Sequence, residues 1–161
     1  MRIKKIIDED FTNYKDACMF LCTTSCSGKC CKEQNLPLSV CQNDGWRSVA
    51  PVDIPDKDII ERYLDNNITK AICFGGLEPF EQFDEIYNFI AILRNYYHCD
   101  DTVIIYTGYD KAEILMQVEK LRAMPNIIIK FGRYIINQDR HRDEILGVDL
   151  ASDNQYAEQI S

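Results

Sequence analysis

Residues 70–79, Lys70-Ala71-Ile72-Cys73-Phe74-Gly75-Gly76-Leu77-Glu78-Pro79, decide the fold. The apolar run that opens this stretch fits a short buried strand. Gly75-Gly76 breaks it, and Pro79 stops the extended chain with a φ already suited to a first helical turn. The next residues, 80–96, set Phe80, Phe83, Ile86, Tyr87, Ile90 and Leu93 on one stripe at helical spacing, with the aromatics read as core. A strand, a glycine turn and a helix in succession open a βαβ unit.

The same grammar extends in both directions. Downstream, Thr102–Tyr106 is a Val- and Ile-rich strand, and Thr107-Gly108-Tyr109 is a turn. Asp110 and Glu113 stand as N-cap and N3 of a capping box, and Ile114, Leu115, Val118 and Leu121 face inward from the helix it starts. Pro125-Asn126 ends that helix, and residues 127–131 form another strand. Glu144–Leu150 is expected as a last strand, while residues 152–161 carry no clear pattern. Upstream, residues 2–7 and 18–23 are expected as strands and 24–52 as a long loop. Asp53 and Pro55 then open a helix carrying Ile59, Ile60, Tyr63 and Leu64. The alternation implies right-handed crossovers and a parallel sheet, an α/β fold in one domain over residues 1–161. Ligands in such folds sit at the carboxyl ends of the strands, so the loops after 18–23, 70–74, 102–106 and 127–131 are expected to share one rim.

Composition narrows the function. The 161 residues carry 18 Lys+Arg against 26 Asp+Glu, a net charge of −8, which argues against a nucleic-acid binder. No apolar stretch approaches the ~20 residues that span a bilayer. The start, Met1-Arg2-Ile3-Lys4-Lys5-Ile6-Ile7-Asp8, lacks the apolar core of a secretory signal. A cytoplasmic domain is expected, and its 8 cysteines are then out of place. Six of them, Cys18, Cys22, Cys26, Cys30, Cys31 and Cys41, fall within residues 18–41. In a reducing compartment such density points to metal or redox chemistry rather than disulfides.

The cluster of cysteines lies in a segment of turn and polar residues (Thr23, Thr24, Ser25, Ser27, Gly28, Lys29) able to fold around an ion. Zinc fits poorly, because there is no C-x-x-C and the only histidines, His98 and His141, lie far off in sequence. An iron–sulfur cluster tolerates looser spacing, and Cys26-x3-Cys30 with Cys41 supplies three thiolates. Cys31 stands in reserve for Cys30, since neighbouring side chains of an extended chain point opposite ways. Cys18, Cys22, Cys73 and Cys99 read as small buried hydrophobes. The regular Cys18-x3-Cys22-x3-Cys26-x3-Cys30 also leaves open a ligand triad that uses Cys22. Gly75-Gly76 frees backbone amides for a ligand, and Glu78 offers a carboxylate suited to an ammonium group.

Taken together these motifs resemble the radical S-adenosylmethionine superfamily, and more narrowly the short activating enzymes of anaerobic ribonucleotide reductase. Cys26-x3-Cys30 resembles the first two cysteines of the family's C-x3-C-x2-C. Cys41-Gln42-Asn43, with Trp46 following, resembles the Cys-His-Asn that carries the third. Gly75-Gly76-Leu77-Glu78-Pro79 resembles the Gly-Gly-Glu-Pro motif that holds the methionyl amino group. Thr107-Gly108-Tyr109 and Asn154-Gln155 resemble a later turn and a terminal pair of the same enzymes. The departure is spacing: the family has two residues between second and third cysteines, and here ten separate Cys30 from Cys41.

The resemblance implies a partial (β/α) barrel with parallel strands. It implies a [4Fe-4S] cluster on Cys26, Cys30 and Cys41, and S-adenosylmethionine held by Gly75, Gly76, Glu78, Pro79, Thr107 and Gly108. An external one-electron donor reduces the cluster, S-adenosylmethionine is cleaved to a 5′-deoxyadenosyl radical, and a glycyl radical is installed on a partner protein such as an anaerobic ribonucleotide reductase. The short chain leaves few residues to close over a small molecule, which favours a protein substrate. Two other readings stay open: a radical enzyme modifying a small molecule or peptide, and a non-catalytic zinc or iron–sulfur interaction domain.

Overall fold

Strands buried on both faces need no polar alternate, which is why they read as unbroken apolar runs. Cys18–Cys22, Ala71–Gly75 and Ile127–Phe131 are such strands, buried at every residue. The computed structural model describes residues 1–161. In chain order the elements are β1 (Arg2–Ile3), β2 (Lys5–Asp10), β3 (Cys18–Cys22), α1 (Lys29–Glu33), β4 (Val52–Asp53), α2 (Asp56–Leu64), β5 (Ala71–Gly75), α3 (Phe83–Asn95), β6 (Thr102–Tyr106), α4 (Leu115–Leu121), β7 (Ile127–Phe131), β8 (His141–Asp143), β9 (Val148–Leu150) and β10 (Tyr156–Gln159).

Six strands form one mixed sheet in the order β10-β7-β6-β5-β3-β2, and no pairing joins β10 to β2. The four inner strands are parallel, in the register Met19↔Ile72, Ile72↔Val103 and Val103↔Ile127. Both outer strands are antiparallel, with Lys5 opposite Cys22 at one edge and Tyr156 opposite Phe131 at the other. Side chains alternate across the sheet. Met19, Leu21, Ile72, Phe74, Val103, Ile105, Ile127 and Ile129 pack under α2, α3 and α4 in the larger core. Cys18, Phe20, Cys22, Cys73, Ile104 and Ile128 face the other way, against Tyr14, Leu146 and Leu150. All four loops at the carboxyl ends of the parallel strands therefore open on one side of the sheet.

The observed elements correct several expectations. Residues 24–52 are not a plain loop: they hold α1, which starts from Gly28 at φ 73°, and two 3-10 turns at Leu38–Val40 and Asp44–Ser48. Asp53 does not cap α2; it sits in β4 opposite Arg2, and Pro55 occupies the N-cap without a side-chain hydrogen bond. Glu144–Leu150 is not one strand. A turn after β8 returns the chain as β9, because the buried Asp143 carboxylate accepts the Leu146 amide at 2.9 Å and Gly147 donates to the Asp143 carbonyl. The tail adds β10. The Asp110–Glu113 capping box is present in full. No helix is long and apolar enough to cross a membrane.

Phe89 of α3 is fully buried and meets Phe74 of β5 edge-on at 5.5 Å. Phe89→Ala is expected to lower unfolding stability by about 3–5 kcal/mol. Urea denaturation should show a reduced midpoint with an unchanged slope.

Candidate iron–sulfur site

The cysteine segment is fastened residue by residue to the turn after β5. Thr23 donates its amide at 2.9 Å and its hydroxyl at 3.1 Å to the Gly75 carbonyl. The Glu78 amide donates to the Ser25 carbonyl at 2.8 Å. Thr24 donates its amide and its hydroxyl to Gln82 Oε1, at 3.1 and 2.9 Å, and the Ser27 amide donates to Glu81 Oε1 at 2.6 Å. This ladder places Cys26 over the Gly-Gly-Leu-Glu-Pro turn. Gly76 must be glycine there: its φ is +79°, and a Cβ would lie 2.3 Å from Cys22 Sγ.

Glu78 is only 8% exposed. Its Oε1 accepts the Thr107 hydroxyl at 2.7 Å and the Phe80 amide at 3.1 Å, and its Oε2 accepts the Gly108 amide at 2.9 Å. Burial pushes its pKa up, against the lowering effect of these donors. A carboxylate has roughly four acceptor sites, so one remains for a further donor. The carboxylate thus joins the turn after β5 to Thr107-Gly108 after β6.

Cys26, Cys30, Glu78 and Gly108 line one cleft, together with Lys29, Glu81, Tyr109 and Arg133. A second cavity, about 210 Å³, adjoins it across Cys30 and Arg133 and also reaches Gln34 and Asn154. The structure therefore brings two of the three expected cluster ligands to the expected binding motif. Cys41 is half-buried and lines neither space, and no three His, Cys, Asp or Glu side chains stand close enough to hold a metal ion. Of the expected S-adenosylmethionine contacts, Glu78 and Gly108 line the cleft, while Gly75, Gly76, Pro79 and Thr107 form the frame behind it. Cys31 is buried at 4%. Cys18, Cys22 and Cys73 are fully buried, and burial lifts Cys22 to about 11 and Cys73 well above its ordinary value. Cys99 is half-buried and likewise raised by burial.

The donor set suits a group that takes thiolates. Burial raises both Cys26 and Cys30, so each keeps its proton until a metal displaces it. The Gly28 amide already points at Cys26 Sγ, at 3.4 Å. Arg47 donates Nη1 to the Cys26 carbonyl at 2.6 Å, and its Nη2 is buried with no partner. A buried guanidinium N–H without an acceptor suits an anionic group nearby.

Several residues here lay outside the expected set. Lys130 is 7% exposed, donates to the Gly132 carbonyl at 2.8 Å, and is lowered to about 8 by burial, with Glu78 and Cys30 acting against that shift. Its signal was one lysine inside the otherwise apolar Ile127-Ile128-Ile129-Lys130-Phe131. Arg133 reaches Glu113 at 2.7 Å and Asp110 at 3.2 Å, and its Nε lies 2.8 Å from Glu33 Oε2, off the hydrogen-bond axis. Lys29 also contacts Glu113. The loops after β3, β6 and β7 are thereby laced by charge, and nothing in the local spacing of Arg133 announces it.

A family model described as a 4Fe-4S single cluster domain matches residues 14–155. The chain belongs to that family. The match runs from before β3 to the residue before β10 and takes in all eight cysteines. Neither the curated proteins nor the solved structures gave a match. A [4Fe-4S] cluster-binding domain is accordingly the function carried by sequence and family together.

Gly76→Ala is expected to lose about 1–2 kcal/mol from the left-handed backbone alone, and about 1–3 kcal/mol more from the clash with Cys22. Cys22→Ala added to it should restore the second part, read as a coupling energy in a double-mutant cycle of urea melts. Arg133, Lys29 and the Asp110 amide hold Glu113 down to about 2, against an ordinary 4.5. A depressed carboxyl stabilises the fold above its unfolded pKa, and that contribution is lost as pH falls from about 4.5 toward about 2. Glu113→Gln should therefore melt lower than wild type at pH 7, with the difference shrinking over that window in thermal scans.

Proposed function

We propose that this 4Fe-4S domain is a radical S-adenosylmethionine enzyme that acts on a partner protein, installing a glycyl radical. The ladder from residues 23–28 to residues 75–82 carries this reading, because it sets two cysteines beside Glu78 and Gly108 at one cleft. A cysteine segment tied to a glycine–acid turn suits a cluster and an amino acid-bearing ligand held side by side.

Cys26 and Cys30 would hold the cluster, with Cys41 brought in from the neighbouring 3-10 turn as third thiolate. When bound, the cluster supplies one electron for reductive cleavage of the sulfonium of S-adenosylmethionine. The protein's own work is placement. Glu78 offers its remaining acceptor site to an ammonium group, and the Thr107 hydroxyl fixes the carboxylate that does so. The turn at Gly75-Gly76 lets backbone approach the ligand closely. Arg47 presents N–H groups to the anionic cluster. Tyr109 and Arg133 line the cleft beside them. We read the open sheet as a partial (β/α) barrel, with the face bearing Phe20, Cys22 and Cys73 turned inward. The open rim supports a large partner that covers it. The chain's acid excess supports a protein rather than a nucleic acid as that partner.

Anaerobic reconstitution with iron and sulfide tests the reading. The expected result is one [4Fe-4S] cluster per chain whose EPR signal shifts on addition of S-adenosylmethionine, with 5′-deoxyadenosine formed under reducing conditions. Single changes of Cys26, Cys30 or Cys41 to Ala should abolish the cluster, and Cys31→Ala should retain it. A cluster indifferent to S-adenosylmethionine would leave a cluster-binding interaction domain. Glu78→Gln should keep the cluster and weaken S-adenosylmethionine binding by roughly tenfold or more, the range for a buried charge-assisted hydrogen bond.

A further inference from the structure

One buried cation has no part in the site as described so far. Alternation along β7 turns Ile127, Ile129 and Phe131 to the larger core and Ile128 to the smaller one. Lys130 therefore shares the face of Ile128, and it is buried there. An ammonium taken out of water persists only where acceptors and an opposite charge replace its hydration.

Two carbonyls and one carboxylate do so. Lys130 Nζ donates to the Gly132 carbonyl at 2.8 Å and reaches the Thr107 carbonyl at 3.5 Å. The Lys130 carbonyl accepts the Thr107 amide at 2.9 Å, so one residue holds both ends of the Thr107 backbone. The Thr107 hydroxyl in turn donates to Glu78 Oε1 at 2.7 Å. Burial lowers Lys130 to about 8, and the charge of Glu78 works against that shift, followed by Cys30. Coulomb attraction is mutual, so the cation favours the carboxylate form of Glu78 in the same way.

Glu78 has few other cations to rely on. Burial raises it, and Glu81 of the same turn raises it further, against the donors Thr107, Gly108 and Phe80. Lys29 and Arg133 line the cleft, but both are engaged by Glu33 and Glu113, and Arg133 by Asp110 as well. The remaining titratable groups at the cleft are the Cys26 and Cys30 thiols and the Tyr109 phenol, all raised by burial. Neither Glu78 nor Lys130 hydrogen-bonds a cysteine through its side chain.

We propose that Lys130 is a positioning residue for Glu78: its buried cation, hung between the Thr107 and Gly132 carbonyls, holds the Glu78 carboxylate as an anion turned to the cleft. The inference rests on the reading of Glu78 as the acceptor of a ligand's ammonium group. A protonated Glu78 loses the charge that attracts such a group. A lysine bonded directly to Glu78 would fill the acceptor site that the ligand needs. Thr107 stands between the two, so Lys130 lends its charge and leaves that site open.

The test is the pH dependence of S-adenosylmethionine binding to the reconstituted chain, by calorimetry at pH 7.5 and pH 6.0, where Lys130 keeps most of its charge. Lys130→Met and Lys130→Gln both remove the cation. Gln keeps a donor for the two carbonyls, so it carries the test if Met fails to fold. A carboxyl deprived of a nearby cation takes up its proton at higher pH. Relative to wild type, both neutral variants should therefore lose about tenfold in affinity as pH falls from 7.5 to 6.0. Lys130→Arg, which keeps the charge, should follow wild type. Infrared spectra at the same two pH values need no ligand. The neutral variants should show a stronger protonated-carboxyl band at pH 6.0 than wild type, and adding Glu78→Gln should remove the difference. Neutral variants that track wild type in both measurements overturn the role of Lys130. A deficit that Lys130→Arg shares assigns the effect to packing and overturns it too. A cluster-loaded wild type that binds no S-adenosylmethionine at either pH overturns the reading beneath it, while the infrared comparison still decides whether Lys130 sets the charge of Glu78.

Discussion

Everything at the rim depends on one buried carboxylate. A charge removed from water is costly unless hydrogen bonds replace its hydration. Glu78 finds those bonds in Thr107, Gly108 and Phe80, and its own amide in turn holds Ser25. The donors come from two different loops and the carbonyl from a third, so satisfying one charge fixes three segments at once. Lys130 on the next strand supplies the opposite charge, itself buried. The cleft inherits its shape from this arrangement.

The parallel core was legible because burial on both faces leaves an unbroken apolar run, ended by a glycine at Gly75-Gly76, Gly108 and Gly132 and by the polar Thr23-Thr24-Ser25 after the first. The strands at 18–22, 71–75, 102–106 and 127–131 lie where those runs stand. The capping box at Asp110 and Glu113 was equally plain, since it is a local contract between two side chains and two amides. What escaped the sequence is what tertiary contact decides. α1 is five residues long and starts from a positive φ at Gly28, so no periodicity marks it. β10 is an edge strand in which only Ala157 is buried, and one buried residue makes no pattern. The site was half legible. Motif and spacing located Cys26, Cys30 and Glu78, but the lysine and arginines that charge their surroundings arrive from β7, from the segment after it and from the Asp44–Ser48 turn.

The eight cysteines sort by exposure, not by interval. A repeat of four keeps Cys18 and Cys22 on the same face of β3. There they pack, with Cys73 from the neighbouring strand, into the smaller core. The same interval continued past the strand places Cys26 in the loop and Cys30 in α1, where the side chains reach the cleft instead. The regular count thus spans two environments with different chemistry. Cys22 still bears on the site, because its sulfur fills the space that any side chain at position 76 would need.

The antiparallel pairing of β10 with β7 has a consequence for how the chain is made. A ribosome releases β3, β5, β6 and β7 in the order in which they neighbour one another, so each new strand finds its partner already waiting. β7 alone then stands with a bare row of amides and carbonyls until residues 156–159 emerge. Between those moments lie some 25 residues of synthesis, during which an apolar edge of Ile127, Ile128 and Ile129 is open to other nascent chains. Gln155 stands at the end of that interval, donating to the Gly132 carbonyl at 3.2 Å immediately before β10.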